Sequence, residues 1–220
     1  MSNRLALFDC DGTLVDSQHN ICTAMDRAFE AVKLAPPARH QTVAVVGLSL
    51  PEAMAVLLPE AEADFHLHIA EQYKLVFHAM RGQGMVHEPL FAGIAELIER
   101  LDSAGWMLGV ATGKSDRGLN LCLTHHGLIE RFVTLQTADR HPSKPHPSMI
   151  EQAMADAGAV PETTAMIGDT SFDMEMAVAV DARALGVGWG YHPPQDLIAA
   201  GAQSVAVDAD QLYRHIGGHD

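Results

Sequence analysis

Two aspartates, Asp9 and Asp11, are the residues best suited to chemistry, and they stand two positions apart after an apolar run. In a strand such side chains point the same way, so both carboxylates would share one face at its carboxyl end. Ligands bind at that end in open α/β sheets. Because neighbouring carboxylates repel, the pair favours a divalent cation or a shared proton, with an acidic loop as the alternative.

Three later segments add groups of different chemistry. Thr112 and Gly113 follow another apolar run and open a helix, which suits phosphoryl oxygens held by O–H and N–H groups. Prolines on both sides of Lys144 restrict its backbone, so its ammonium can be aimed. Asp169 and Asp173 stand about one helical turn apart. Taken singly, these segments have structural alternatives, namely a turn, a solvated lysine and a helix N-cap.

The elements that must position these residues are short apolar runs alternating with helical patterns. Continuous apolar strands separated by helices predict a mostly parallel sheet with helices on both faces, a Rossmann-like α/β fold. The runs span residues 4–8, 106–111, 132–136, 164–167, 182–187 and 204–207.

The segment from residue 17 to 86 breaks this alternation. It holds helical patterns after residues 20, 51 and 64 with no convincing strand among them, and Gly82 and Gly84 mark its exit. We therefore expect an α/β core domain of residues 1–16 and 87–220, with residues 17–86 inserted as an all-helical domain.

The four chemical segments each follow a different expected strand. A parallel sheet brings the carboxyl ends of its strands into one crevice. Acidic, hydroxyl, basic and acidic groups together indicate a metal-assisted phosphoryl-transfer site.

These segments resemble the four motifs of the haloacid dehalogenase-like superfamily, in its phosphatase branch, and the helical insert resembles that family's C1-type cap. Residues 110–115 and 186–191 resemble phosphoglycolate-phosphatase-like members more narrowly. The motifs read Asp9-x-Asp11-Gly12-Thr13, Thr112-Gly113, Lys144-Pro145 and Gly168-Asp169-x-x-x-Asp173.

The resemblance and the residue chemistry agree on the reacting groups. Asp9 would be the nucleophile that forms an aspartyl-phosphate, and Asp11 the general acid and base. Mg²⁺ would be held by the carboxylates of Asp9 and Asp169 and, as in the family, by the backbone carbonyl of Asp11.

Further residues would bind the substrate. Thr112, the Gly113 N–H and Lys144 would hold the phosphoryl oxygens, and Asp173 would orient Lys144 or a metal-bound water. Within the insert, Arg39 is the candidate to contact the non-phosphate end of the substrate, and a plain helix connection is the alternative for its segment.

The implied function is a Mg²⁺-dependent phosphatase acting on a small phosphorylated metabolite resembling phosphoglycolate. Family members that cleave carbon–halogen bonds lack an aspartate at the position of Asp11, and those that cleave phosphonates carry a small residue there. A β-phosphoglucomutase-like phosphomutase and a pyrophosphatase would use the same chemistry as this phosphatase and are the alternatives on the same fold. A catalytically silent binding module is the alternative from another class.

Composition limits the partners and the compartment. The formal net charge of −14 argues against nucleic acid and anionic membranes as partners. No apolar stretch is long enough to span a bilayer, and three cysteines without a C-x-x-C spacing give neither a disulfide framework nor a zinc site. We expect a cytoplasmic protein that is a monomer or a homodimer.

Overall fold

A computed structural model describes residues 2–217 and contains a six-stranded parallel sheet with the order β3-β2-β1-β4-β5-β6. The predicted α/β class and parallel sheet are confirmed, although residues 1 and 218–220 of the expected core lie outside the described part. The strands are β1 (Asn3–Phe8), β2 (Met107–Thr112), β3 (Thr134–Thr137), β4 (Ala159–Gly168), β5 (Arg183–Val187) and β6 (Ser204–Ala206).

The central strand β1 is apolar because both of its faces and both of its edges are covered. Residues 5–8 are buried, and β1 pairs in parallel with β2 on one side and β4 on the other. Phe8 stands level with Val110 of β2 and Ile167 of β4. This register brings the segments that follow the three strands together at the carboxyl-terminal end of the sheet.

Helices cover both faces of the sheet. In α5 the buried residues Ile94, Leu97, Ile98 and Leu101 form one stripe that packs into the core on one face, as their spacing predicts. The core on the other face includes residues of α7 and α8. These helices are α5 (Ile94–Ser103), α6 (Asp116–His125), α7 (Ser148–Ala157), α8 (Ser171–Val178), α9 (Pro194–Ala199) and α10 (Ala209–Ile216).

The chain between β1 and β2 begins with four helices that have a core of their own. Met25, Phe29, Met54 and Ile69 belong to a buried apolar cluster separate from the two clusters against the sheet. The sequence predicts three of these helices, and α2 is the additional one. They are α1 (Gln18–Ala31), α2 (Arg39–Ala44), α3 (Leu50–Leu57) and α4 (Ala63–Gly82).

Among the helices of residues 2–217, none combines the length and the apolar content needed to cross a bilayer.

Candidate active site

Asp9 lies just beyond the carboxyl end of β1 and is almost completely buried. Its Oδ1 accepts a hydrogen bond from Lys144 Nζ at 2.8 Å. Its Oδ2 is buried and has no hydrogen-bond partner among the residues that the structure describes. Burial raises the pKa of Asp9 to about 7, with Lys144 opposing the increase and Asp173 adding to it. A buried carboxylate oxygen without a partner is costly, so Asp9 Oδ2 is suited to contact a cation or a substrate.

Lys144 connects two carboxylates in the interior. Its side chain is fully buried, and Nζ donates to Asp9 Oδ1 at 2.8 Å and to Asp173 Oδ1 at 2.6 Å. Burial acts to lower the pKa of Lys144, but Asp173 and Asp9 outweigh it and raise that pKa above its usual value. The ammonium is therefore charged and fixed, as the flanking prolines lead us to expect.

Asp169 and Asp173 enter the site from the end of β4 and the first turn of α8. Asp169 accepts hydrogen bonds from Thr13 Oγ1 at 2.7 Å and from the Tyr191 backbone N–H at 2.9 Å. Asp173 Oδ2 accepts from the backbone N–H and the hydroxyl of Thr170, so this carboxylate also caps α8. Burial raises the pKa of Asp169, and the charges of Asp9 and Asp173 add to the effect.

These three carboxylates form a group that can hold a metal ion. One oxygen from each of Asp9, Asp169 and Asp173 lies within 4.8 Å of the others, and all three residues are buried. The positive charge of Lys144 balances only part of their negative charge. Hard divalent cations such as Mg²⁺ prefer carboxylate oxygens, and the unpaired Asp9 Oδ2 offers one. The donor set therefore fits the expected cation.

The carboxylate of Asp11 points elsewhere. Its Oδ1 accepts from Ser17 Oγ and lies 2.8 Å from Lys114 Nζ. The group of carboxylates that can hold a cation therefore consists of Asp9, Asp169 and Asp173, while the Asp11 side chain is held by a lysine. This leaves its backbone carbonyl as the group by which Asp11 would bind metal.

The predicted phosphate-binding residues reach the same place from β2. Asp9, Asp11, Thr112 and Gly113 all line a cavity of about 770 Å³ between the sheet edge and helices α1–α4. Thr112 is buried and its Oγ1 accepts from the Lys114 backbone N–H at 3.2 Å. The structure therefore brings Asp9, Asp11, Thr112 and Gly113 to one cavity wall, with Lys144 bonded to Asp9.

Gly113 also touches the loop that follows α2. A Cβ at Gly113 would lie 2.7 Å from the carbonyl oxygen of Leu48 and 2.8 Å from that of Gly47. Nearby, the Ser49 backbone N–H donates to Ser143 Oγ at 2.8 Å. The helical insert thus closes directly onto the predicted phosphate-binding loops, and only glycine leaves room for this contact.

The structure does not bring Arg39 to these residues. Arg39 is exposed, and its Nη2 donates to Gln18 Oε1 of α1 at 2.8 Å, away from the cavity wall. The start of α2 faces α1, so the cation lies on the outside of the insert. Thr42, three residues later on α2, lines the cavity instead, and its buried Oγ1 lacks a partner within residues 2–217.

Sequence reasoning missed a second buried lysine at the site. Lys114 lies between Asp11 and Glu88, with 2.8 Å to each carboxylate. Burial acts to lower the pKa of Lys114, but Asp11 and Glu88 raise it well above its usual value. The only sequence signal was its place directly after Thr112-Gly113, since Glu88 stands in a connecting segment with no periodic pattern.

The sequence matches one family model and is similar to several known proteins. A family model described as haloacid dehalogenase-like hydrolase matches residues 6–187. "Probable phosphatase IndB" of Dickeya dadantii is 36% identical over 206 residues, which cover 91% of this chain and 88% of that protein. "Tyrosine-protein kinase PtkA" of Mycobacterium tuberculosis is 30% identical over 193 residues, or 86% of this chain and 64% of that protein. "Phosphoglycolate phosphatase" of Vibrio parahaemolyticus is 25% identical over 218 residues, with 95% and 94% covered.

A solved structure supports the same architecture. A hydrolase from Pseudomonas syringae superimposes with a TM-score of 0.85 at 25% sequence identity, covering 97% of this chain and 98% of that one. The sheet and the inserted helices are therefore found together in a known fold.

Proposed function

Because the chain belongs to the haloacid dehalogenase-like hydrolase family, we propose that it is a Mg²⁺-dependent phosphatase that hydrolyses a small phosphate monoester resembling phosphoglycolate. The reaction would pass through an aspartyl-phosphate intermediate on Asp9. The observation that carries this proposal is the buried Asp9 carboxylate, which lines the cavity with one oxygen held by Lys144 and the other unpaired.

The residues around Asp9 suggest how each step would proceed. A carboxylate oxygen of Asp9 attacks phosphorus while Asp11 gives a proton to the departing ester oxygen. Asp11 then takes a proton from the water that hydrolyses the aspartyl-phosphate. Thr112 and the Gly113 N–H bind the phosphoryl oxygens, and Lys144, bonded to Asp9, adds a fixed positive charge beside them.

Asp9 and Asp169, with the backbone carbonyl of Asp11, would hold Mg²⁺, and Asp173 would keep Lys144 in place through its 2.6 Å hydrogen bond. When bound, the cation would supply charge neutralisation for the attacking and transferring oxygens. Three buried carboxylates that lie close together, two of them bonded to Lys144, support this assignment.

We also propose that residues 17–86 act as a cap on a core of residues 1–16 and 87–220. Side chains of α1–α4 such as Met25, Thr42 and Tyr73 line the cavity opposite Asp9. They are placed to contact the non-phosphate end of the substrate and to exclude bulk water.

The net charge and the cysteines bear on the partners and the cellular compartment of the protein. The partner would be a small phosphorylated metabolite rather than nucleic acid or a membrane, given the net charge of −14. Three free, buried cysteines support a cytoplasmic location, where thiols stay reduced. We propose that the chain acts there as a monomer or a homodimer.

Phosphate release from a panel of phosphorylated compounds tests the function. The panel contains 2-phosphoglycolate, hexose phosphates, nucleoside monophosphates and pyrophosphate, each with Mg²⁺ and with chelator. We expect Mg²⁺-dependent release of phosphate, highest for a small monoester. Conversion of glucose 1-phosphate to an isomer without free phosphate would indicate a mutase, preferential cleavage of pyrophosphate a pyrophosphatase, and no turnover of any compound a binding module.

Replacing Gly113 with alanine tests the contact between cap and core. The added Cβ would overlap the Leu48 and Gly47 carbonyl oxygens, and such overpacking costs about 1–3 kcal/mol. We expect kcat/KM to fall about 10- to 100-fold, because that energy would be lost whenever the cap closes. Steady-state kinetics on the best ester of the panel measures it.

The matched control is Gly82→Ala at the end of α4. Apart from its chain neighbours and the backbone of its own helix, a Cβ there meets no atom of the described residues within 4 Å, so kcat/KM should stay within about twofold of the unchanged chain. Equal kinetics for both alanine variants would contradict a role for the Gly113 contact.

A further inference from the structure

A chain of ion pairs runs from the last helix of the cap to Asp11. Arg81 Nη2 lies 2.8 Å from Glu88 Oε2, and Glu88 Oε1 lies 2.8 Å from Lys114 Nζ. The same Nζ lies 2.8 Å from Asp11 Oδ1. Arg81 and Lys114 thus share the carboxylate of Glu88. Asp11, the proposed general acid, is the last member of this series of ion pairs.

The side chains of these ion pairs are well shielded from solvent. The exposed fraction of the side chain is 9% for Lys114, 6% for Glu88 and 12% for Asp11, while Arg81 is 25% exposed. Screening by water and salt is weak for such pairs, so they hold a defined geometry more firmly than surface pairs do.

The chain joins three separate parts of the fold. Arg81 is in the last turn of α4, Glu88 is in the segment that leads from the cap back to α5, and Lys114 follows β2. His126 on the neighbouring helix end contacts the Glu88 backbone carbonyl at 2.7 Å. Glu88 is therefore fixed from both the cap side and the core side.

We propose that Lys114 is a positioning residue that holds the Asp11 carboxylate in place for proton transfer to the leaving oxygen, and that Glu88, anchored by Arg81, holds Lys114. The inference rests on the proposed function, in which Asp11 is the general acid. Without Lys114, the Asp11 carboxylate loses the ammonium that lies 2.8 Å from its Oδ1, so it no longer keeps one position for proton transfer.

A direct role for Lys114 in substrate binding fits the geometry less well. Each lysine contacts two carboxylates, but Lys144 is bonded to the Asp9 nucleophile, whereas Lys114 is held by Asp11 and Glu88. The two roles differ in their kinetic effect. Loss of a substrate contact weakens binding of every ester, while loss of a positioned acid matters only for a leaving group that needs a proton.

The test compares two esters with Lys114→Met. The leaving oxygen of 2-phosphoglycolate is a poor leaving group without a proton, whereas p-nitrophenyl phosphate releases a stable phenolate. The ratio kcat/KM reports the steps up to formation of the aspartyl-phosphate. We expect it to fall about 100-fold for 2-phosphoglycolate and less than about fivefold for p-nitrophenyl phosphate. Equal losses for the two esters would overturn the inference.

Further variants separate positioning from folding. Lys114→Arg should recover most of the activity on 2-phosphoglycolate, because it restores the cation. Glu88→Gln/Lys114→Met removes both charges, leaves no unpaired glutamate, and should fold while retaining the difference between the two esters. Wild-type kinetics in that double variant would count against the inference.

Arg131→Met is the matched control, since it breaks a surface ion pair with Asp102. It should leave both esters unaffected. If the unchanged protein with Mg²⁺ releases no phosphate from p-nitrophenyl phosphate or from any compound of the panel, the proposed function fails and the inference fails with it. An active unchanged protein with equal losses in Lys114→Met removes the inference alone.

Discussion

Asp9→Asn abolishes phosphate release, lowering kcat by more than about 10⁴-fold, because an amide cannot form the aspartyl-phosphate. Asparagine keeps the shape of the buried side chain, so the chain remains folded. Acid quenching during turnover, followed by intact-mass measurement, should show one added phosphoryl group on the unchanged chain and none on the variant. Substantial Mg²⁺-dependent activity in Asp9→Asn would rule out Asp9 as the nucleophile.

The raised pKa of Asp9 predicts the direction in which Asp9→Asn changes the stability of the fold. Burial raises the pKa of Asp9 to about 7, so the fold favours the protonated form. That stabilisation is complete below about pH 4 and is lost as the pH rises through about 7. Metal-free Asp9→Asn should therefore be at least as stable as the unchanged chain at pH 8 in urea unfolding. Asp16→Asn, an exposed position at the end of the same segment, is the control and should keep full activity.

Chelation should remove activity almost completely, with a loss of more than about 10³-fold that added Mg²⁺ reverses. Asp9, Asp169 and Asp173 place more negative charge together than Lys144 balances, and a bound cation would relieve their repulsion while leaving Asp9 ionised for attack. Full activity in chelator would contradict the metal assignment.

Binding of the cation can be measured without turnover. Ligand at 100 times its Kd stabilises the folded chain by about 2.7 kcal/mol, which corresponds to a rise in Tm of roughly 5–10 °C for a chain of this size. Asp169→Asn should lose this Mg²⁺-dependent rise, whereas Asp26→Asn, an exposed residue of α1, should retain it. An equal rise in Asp169→Asn would remove that residue from the metal site.

Much of the fold could be predicted because strands that are buried on both faces consist of continuous apolar residues. Each predicted run overlaps one observed strand, and the resemblance to the haloacid dehalogenase-like family is confirmed by the family match. Strand β4 begins earlier than predicted, at Ala159, where its residues are partly exposed and its pairing with β1 shifts register after Asn3. That part has no apolar signal because it is not buried.

The site could be predicted for residues at strand ends and for Lys144 and Asp173, whose neighbouring sequence marks them, but not for residues that only long-range packing brings together. Asp9, Thr112 and Asp169 stand at strand ends, where the sheet register alone brings them together. Glu88 and Lys114 meet because the exit of the cap crosses the loop after β2, a long-range packing event that no periodicity encodes. The outward direction of Arg39 likewise depends on how α2 packs against α1.

The sheet order has a consequence for how the protein is made. Strand β1 is synthesised first, yet its neighbour β4 follows after about 150 residues, so at bacterial or eukaryotic translation speeds it waits on the order of ten seconds. During that time Leu5, Leu7 and Phe8 lack both partner strands until β2 is made and then still lack β4, and unpaired apolar edges are prone to aggregate. Slow translation or a shortage of chaperones should therefore reduce the yield of this protein more than that of one whose central strands are consecutive.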